Sequence, residues 1–161
     1  MTETYPNPWD EMNTLDICIK IEESCASIYY SFAGIFADSP QYFRLWTEMA
    51  TEEERHADEF RAAKAIHCQH YSCSDMENDL LKRILDQIES FDVSLNSKTL
   101  SIREALLMAL ILEKSVEKYH LEVSKQILDP ELSRLLDVMV EYSHGHKEML
   151  RLAAESIDTS S

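Results

Sequence analysis

The sequence predicts an all-α fold, in which four antiparallel helices form a bundle and a long crossover connection carries a short extra helix. Three observations favour this class. The 161 residues include only two glycines and four prolines, too few for a turn-rich β-architecture. Four long segments repeat apolar residues at intervals of three and four, the period of a helix. The two halves of the chain also resemble each other, as two helical hairpins would. We predict a single domain over residues 1–161.

The first two helices are predicted over residues 10–37 and 40–70. The first has an apolar stripe formed by Leu15, Cys18, Cys25, Tyr29, Phe32 and Phe36. Asp38 is a suitable cap residue, and Pro40 fits the first turn of a helix, so the second helix is expected to begin there. Its own stripe comprises Tyr42, Leu45, Met49, His56, Phe60 and Ala63.

A shorter amphipathic helix is predicted over residues 75–91. Its apolar face comprises Leu80, Leu81, Ile84, Leu85, Ile88 and Phe91. This length suits a connection that crosses from one end of a bundle to the other. Residues 92–99 are polar and predict a loop.

The last two long helices are predicted over residues 100–128 and 130–154. Ser101 and Glu104 have the spacing of a capping box, with Thr99 as an alternative cap for the same helix. An aspartate followed by a proline precedes the last helix and repeats the start signal seen before the second one. Residues 155–161 are expected to fray.

A weak internal repeat relates the second helix to the last one. Met49, His56, Arg61 and Ala63 recur at a constant offset as Met139, His146, Arg151 and Ala153. The first and third long helices are related in a similar way, through the segments that begin at Glu22 and Glu113. Two helical hairpins joined by a long crossover would produce this pattern.

Charge and composition exclude several classes of partner. The formal net charge is −15 and the pI about 4.7, so phosphate backbones and anionic membrane surfaces are repelled. The longest apolar run, residues 105–112, is too short to span a bilayer. The first ten residues have neither the basic nor the apolar region of a signal peptide. Four cysteines without a CxxC pair indicate reduced thiols, so we expect a cytoplasmic protein without nucleic-acid or membrane partners.

Each long helix places ionisable side chains within its apolar stripe, about halfway along its length. These side chains are Glu22, Glu53, His56, Glu113 and His146. Singly, each has an ordinary explanation, such as a solvated charge run at residues 52–54 or a hydrogen-bonded core histidine. Isolated buried carboxylates, however, cost several kcal/mol or become protonated. Their joint occurrence on four helices therefore predicts a bound cation, for which carboxylates and imidazoles suit iron, manganese or zinc.

Over nearly its whole length the sequence resembles the rubrerythrin branch of the ferritin-like superfamily, and three segments carry the resemblance. They are Ile21-Glu22-Glu23 with Ile28-Tyr29 and Phe32-Ala33, then Thr51–Ala57 with its ExxH pair Glu53 and His56, and Leu112-Glu113 with Tyr119. The resemblance implies a ferritin-like bundle with two transition-metal ions, expected to be iron, with manganese or zinc as alternatives. It also implies an oxidoreductase that reduces hydrogen peroxide or oxygen. The sequence has no rubredoxin knuckles, so we expect a separate electron donor of rubredoxin type. A homodimer is also expected.

The last helix departs from the family pattern, because Ser143 stands where the repeat predicts a glutamate matching Glu53. Glu141 and His144 form an ExxH pair nearby. Turning that pair inward would bring other charged residues into the core, so it is not expected to bind metal in a regular helix. A π-bulge, which Gly145 makes easier, would change this expectation.

One missing carboxylate leaves the predicted site short of negative charge. Glu22, Glu53 and Glu113 balance only three of the four charges of two divalent ions, so one ion should be held more weakly. His120 occupies the repeat position of Tyr29, and it is predicted either to replace a ligand or to hydrogen-bond a ligating carboxylate. Glu117 is a comparable candidate.

The site leaves two alternatives to a peroxide reductase. One is an iron-binding or iron-handling protein without peroxidase turnover, and the other is a scaffold with a degenerate one-metal site. A separate cluster of His67, Cys68, His70 and Cys73 lacks the spacing of a zinc ribbon or rubredoxin knuckle. We interpret it as the end of a helix and its turn, with a second metal site as the alternative.

Overall fold

The computed structural model describes residues 14–66, 75–96 and 100–158. These residues form five helices: α1 Thr14–Ile35, α2 Pro40–Ile66, α3 Asp75–Asn96, α4 Ile102–Gln126 and α5 Pro130–Asp158. No strand occurs within the described ranges, so the predicted all-α class is confirmed. None of the five helices is both long and apolar enough to cross a membrane. The cluster of His67, Cys68, His70 and Cys73 lies outside the described residues.

Local signals in the sequence fix the starts of the later helices. Ser101 caps α4 by accepting a hydrogen bond from the Glu104 amide at 3.2 Å, while the Glu104 carboxylate accepts one from the Ser101 amide at 2.8 Å. Asp129 caps α5, because its Oδ1 accepts hydrogen bonds from the amides of Glu131 and Leu132. These caps satisfy amides that the first turn of a helix leaves without partners.

We expect Ser101→Ala to lower the free energy of unfolding by about 1 kcal/mol, the usual cost of losing an N-cap hydroxyl. Urea unfolding followed by circular dichroism measures the change. The matched control is Ser115→Ala, within α4, where the hydroxyl hydrogen-bonds the Ile111 carbonyl and contributes little. Equal stability of Ser101→Ala and the unmodified chain would contradict the capping role.

Two helices are longer than the sequence predicts. α3 continues through the expected loop to Asn96, because Leu95 lies one turn beyond Phe91 and packs against the same core. α5 continues to Asp158, because Ile157 packs on the core and Asp158 forms an ion pair with Arg103 at 2.5 Å. The predicted ends of α3 and α5 rested on polar composition alone, and both were placed too early in the chain.

The long helices pair as two antiparallel hairpins. In the first, α1 and α2 are joined by Lys64 and Asp16 at 2.5 Å and by Tyr30 and Glu54 at 2.9 Å. In the second, α4 and α5 are joined by the Arg103–Asp158 pair at one end. At the other end, the Ser124 hydroxyl donates to Asp137 at 2.7 Å. α3 packs against α1 and α4.

The two hairpins face each other across a shared core. The Tyr29 hydroxyl on α1 lies 2.5 Å from Glu113 on α4, and the His56 ring on α2 stacks on the Tyr142 ring of α5 at 4.7 Å. The largest fully buried side chains are Trp46, Tyr29, Tyr119, Phe32, Phe60 and Leu15. All four long helices therefore contribute to one interior.

Candidate metal centre

Five ionisable side chains meet in this interior, and none of them is more than 3% exposed. They are Glu22 of α1, Glu53 and His56 of α2, Glu113 of α4 and His146 of α5. Each lies on the face of its helix that also carries the buried apolar residues, so burial of the stripes brings the charged groups together. The structure thus places all five predicted candidates at one location.

The first group of potential ligands consists of Glu22, Glu53 and His56. His56 Nδ1 lies 2.9 Å from Glu53 Oε2 and 3.8 Å from Glu22 Oε2. The three ligand atoms are all within 4.8 Å of one another. Because Glu53 and His56 are three residues apart, their side chains project from the same face of α2.

The second group consists of Glu53, Glu113 and His146. His146 Nδ1 lies 3.0 Å from Glu53 Oε1 and 3.3 Å from Glu113 Oε1. These three ligand atoms also lie within 4.8 Å of one another. Glu53 therefore belongs to both groups, with one oxygen facing His56 and the other facing His146.

Opposite charges in the two groups stabilise each other out of contact with water. Burial lowers the pKa of His56, but Glu22 and Glu53 outweigh it and raise that pKa to about 9. For His146, burial is likewise outweighed by Glu113 and Glu53, which raise the pKa to about 12. Burial opposes the charge of Glu22, yet His120 and His56 hold its pKa well below the usual range. In the metal-free protein both histidines therefore carry a proton at neutral pH.

Glu113 has a different environment from the other acids. Burial and the negative charge of Glu53 raise the pKa of Glu113, and contacts with His146 and Tyr29 oppose this effect. Burial and the neighbouring Glu113 carboxylate raise the pKa of Tyr29 well above its usual value. The Tyr29 hydroxyl therefore keeps its proton and donates a hydrogen bond to Glu113 Oε1.

Several buried polar atoms around the two groups make no hydrogen bond within the described part of the chain, and a bound cation would give them a partner. Among the residues that the structure describes, Glu22 Oε1, His56 Nε2 and both ring nitrogens of His120 have no hydrogen-bond partner. Each such atom normally costs about 1–3 kcal/mol. Carboxylates and imidazoles at mutual ligand distances are donors that divalent transition metals accept. The residues present therefore fit a metal centre, with Glu53 shared between its two halves.

The additional candidates have different outcomes. His120 is buried and lies beside Glu22, with His120 Nε2 3.1 Å from Glu22 Oε1. Glu117 belongs to neither group of potential ligands, because it faces α5 and pairs with Lys147 and with His144. Its position one turn after Glu113 directs it to the hairpin interface instead.

α5 is a regular helix around Ser143, the position at which the internal repeat predicts a glutamate. Ser143 is buried, whereas Glu141 and His144 are exposed. The nearby ExxH pair therefore stays outside the core, as expected for an unbroken helix. A hydroxyl stands where a fourth interior carboxylate was predicted.

Sequence analysis did not identify Glu52 as a partner of the site. Its carboxylate, 40% exposed, lies 2.7 Å from His146 Nε2. A carboxylate on the outer nitrogen orients an imidazole and leaves Nδ1 directed inward. The only signal in the sequence was adjacency to Glu53, and this was hidden within an acidic run.

Comparison with models of known protein families, with curated protein sequences and with solved structures found no match for this chain. The residues and geometry described above therefore carry the functional argument.

Proposed function

We propose that this chain is a ferritin-like, rubrerythrin-type non-haem di-iron oxidoreductase, which reduces hydrogen peroxide or oxygen with electrons from a separate donor of rubredoxin type. The observation that carries the proposal is the position of Glu53 between two buried groups of carboxylate and imidazole ligands. A shared carboxylate places two ions close together. Two adjacent redox-active ions suit a two-electron reduction better than one ion does.

The helix directions support the ferritin-like assignment. α1 runs antiparallel to α2, and contacts of Tyr29 with Glu113 and of Glu22 with His120 make α1 antiparallel to α4 as well. Contacts of His146 with Glu53 and of Tyr142 with His56 make α5 antiparallel to α2. A chain with these directions needs a long crossover between its second and third long helices, as ferritin-like bundles have.

Bound iron would supply the electrons and a Lewis acid that polarises the oxidant. The chain's own residues would hold and orient that centre. Glu22, Glu53, His56, Glu113 and His146 would bind the two ions, and Tyr29 would fix Glu113 by its hydrogen bond. The surrounding core, including Trp46 and Phe60, excludes water from the carboxylates. We also propose that the protein is a cytoplasmic homodimer; the buried free thiols of Cys18 and Cys25 are compatible with a reducing compartment.

We expect Fe(II)-loaded protein to oxidise within seconds of adding hydrogen peroxide and to return to Fe(II) when a reductant is supplied. Anaerobic stopped-flow absorbance measures the first step, and peroxide consumption with a reduced rubredoxin measures turnover. Glu48→Gln, an exposed change on α2, is the matched control and should react normally. Oxidation no faster than that of free Fe(II) would contradict the proposal.

Ser143 favours a second candidate, a protein that binds metal without turnover. With a hydroxyl in place of a fourth carboxylate, the centre lacks one negative charge for two divalent ions. This alternative predicts one tightly bound ion per chain and no catalytic consumption of peroxide. An iron-handling protein would instead accumulate more than two irons per chain in a large assembly, which native mass spectrometry detects.

A further inference from the structure

We infer that His120 is a ligand of the ion held near Glu22, so that the two halves of the centre have unequal numbers of protein ligands. This inference rests on the proposed metal centre and goes beyond its five core residues. The sequence left two roles open for His120, as a metal ligand or as a hydrogen-bond partner of a ligating carboxylate, and we choose the first.

The His120 ring is buried beside the Glu22 carboxylate, but its nitrogens make no hydrogen bond to the residues described. The side chain is 1% exposed, and neither ring nitrogen has a hydrogen-bond partner among the described residues. Its ring packs beside Phe60 at 5.5 Å and Tyr119 at 6.2 Å. A buried imidazole whose nitrogens make no hydrogen bond lowers the stability of the fold. Packing alone therefore does not explain a histidine here, because an apolar side chain would fill the space without that cost.

The ring nitrogen and the carboxylate of Glu22 lie at the distance of two ligands on one ion. His120 Nε2 is 3.1 Å from Glu22 Oε1, yet these atoms are not aligned as a hydrogen bond and both lack a partner among the residues described. The other oxygen of Glu22 faces His56 Nδ1 at 3.8 Å. The Glu22 carboxylate therefore lies between two imidazoles, with His120 at one oxygen and His56 at the other.

The two halves of the centre then differ in composition. In this assignment His120 would add a fourth ligand to the group of Glu22, Glu53 and His56, whereas Glu53, Glu113 and His146 would provide three on the other side. An ion with fewer protein ligands keeps a coordination position for an exogenous molecule. His120 would thus supply a neutral donor to the ion at Glu22, and the group of Glu53, Glu113 and His146 would leave more coordination positions to other molecules.

Titration of metal-free protein with Co(II), followed by visible absorbance, tests the assignment. We expect two ions per chain, and His120→Phe should weaken the tighter one by more than about 100-fold, which is the upper end of losses caused by outer hydrogen-bond partners. His144→Phe changes an exposed histidine of α5 and should bind both ions normally. Circular dichroism of the metal-free variants verifies that each is folded.

A second measurement requires no variant. Proton NMR of the Co(II)-loaded chain shows one exchangeable, strongly shifted N–H signal for each bound imidazole, so we expect three such signals rather than two. Two signals, or a loss of affinity of no more than about 100-fold in His120→Phe, would overturn the role of His120 as a ligand and leave the proposed centre intact. If the unmodified chain binds no Co(II), the centre itself is wrong and the assignment falls with it.

Discussion

Glu53→Gln is expected to remove both metal ions, whereas Glu113→Gln is expected to remove only one. Glu53 is shared, with Oε2 2.9 Å from His56 Nδ1 and Oε1 3.0 Å from His146 Nδ1. Glu113 belongs to the second group alone. Replacing a carboxylate by an amide of the same shape removes the negative charge and one anionic ligand without leaving a cavity. A loss of bound metal in these variants therefore reports the loss of a ligand and not a change in core packing.

Elemental analysis after equilibrium dialysis measures the metal content of each variant. Thermal unfolding gives a second readout, because a ligand at 100 times its dissociation constant stabilises a protein by about 2.7 kcal/mol. This stabilisation should disappear in Glu53→Gln and persist in Glu48→Gln, whose side chain is exposed on the same helix. Two ions in Glu53→Gln would show that Glu53 is not the shared ligand.

Metal affinity is expected to rise steeply with pH, because binding must displace protons from the site. The pKa values of His56 and His146 in the metal-free protein are raised to about 9 and about 12, so both rings are protonated at pH 7. A metal binds only the neutral imidazole. Between pH 6 and 8 the binding constant of each ion should therefore rise about tenfold per pH unit. The product of the two binding constants should rise about 100-fold per pH unit.

Proton release in a weakly buffered solution with a pH indicator tests this linkage. Loading with Co(II) should release about two protons per chain. His144→Gln, a change at an exposed ring, should not alter the count. Affinity that is independent of pH over this interval would contradict the protonated state of the metal-free histidines.

Most of the helices and of the candidate site could be predicted because the responsible signals are local. Pro40, Pro130 and the Ser101 capping box mark helix starts within a few residues. The interior acids and histidines follow from their positions in the apolar stripes. Helical period alone places Glu22, Glu53 and Glu113 on buried faces, and burial then brings them together.

The features that sequence analysis missed depend on contacts between distant segments. The end of α5 is stabilised by Arg103, more than fifty residues earlier in the chain. Glu52 resembles any solvated acid until α5 places His146 beside it. Glu117 has the right spacing from Glu113, but Lys147 binds it from the neighbouring helix. No pattern within one helix contains these partners.

The two groups around Glu53 differ in which parts of the chain they connect. Glu22, Glu53 and His56 all come from the first hairpin, whereas Glu53, Glu113 and His146 come from both. An ion in the second group would therefore cross-link the two hairpins, and the ion at Glu22 would do so as well once His120 of α4 binds it. Metal loading is thus expected to add to the coupling that the shared core already gives the two hairpins.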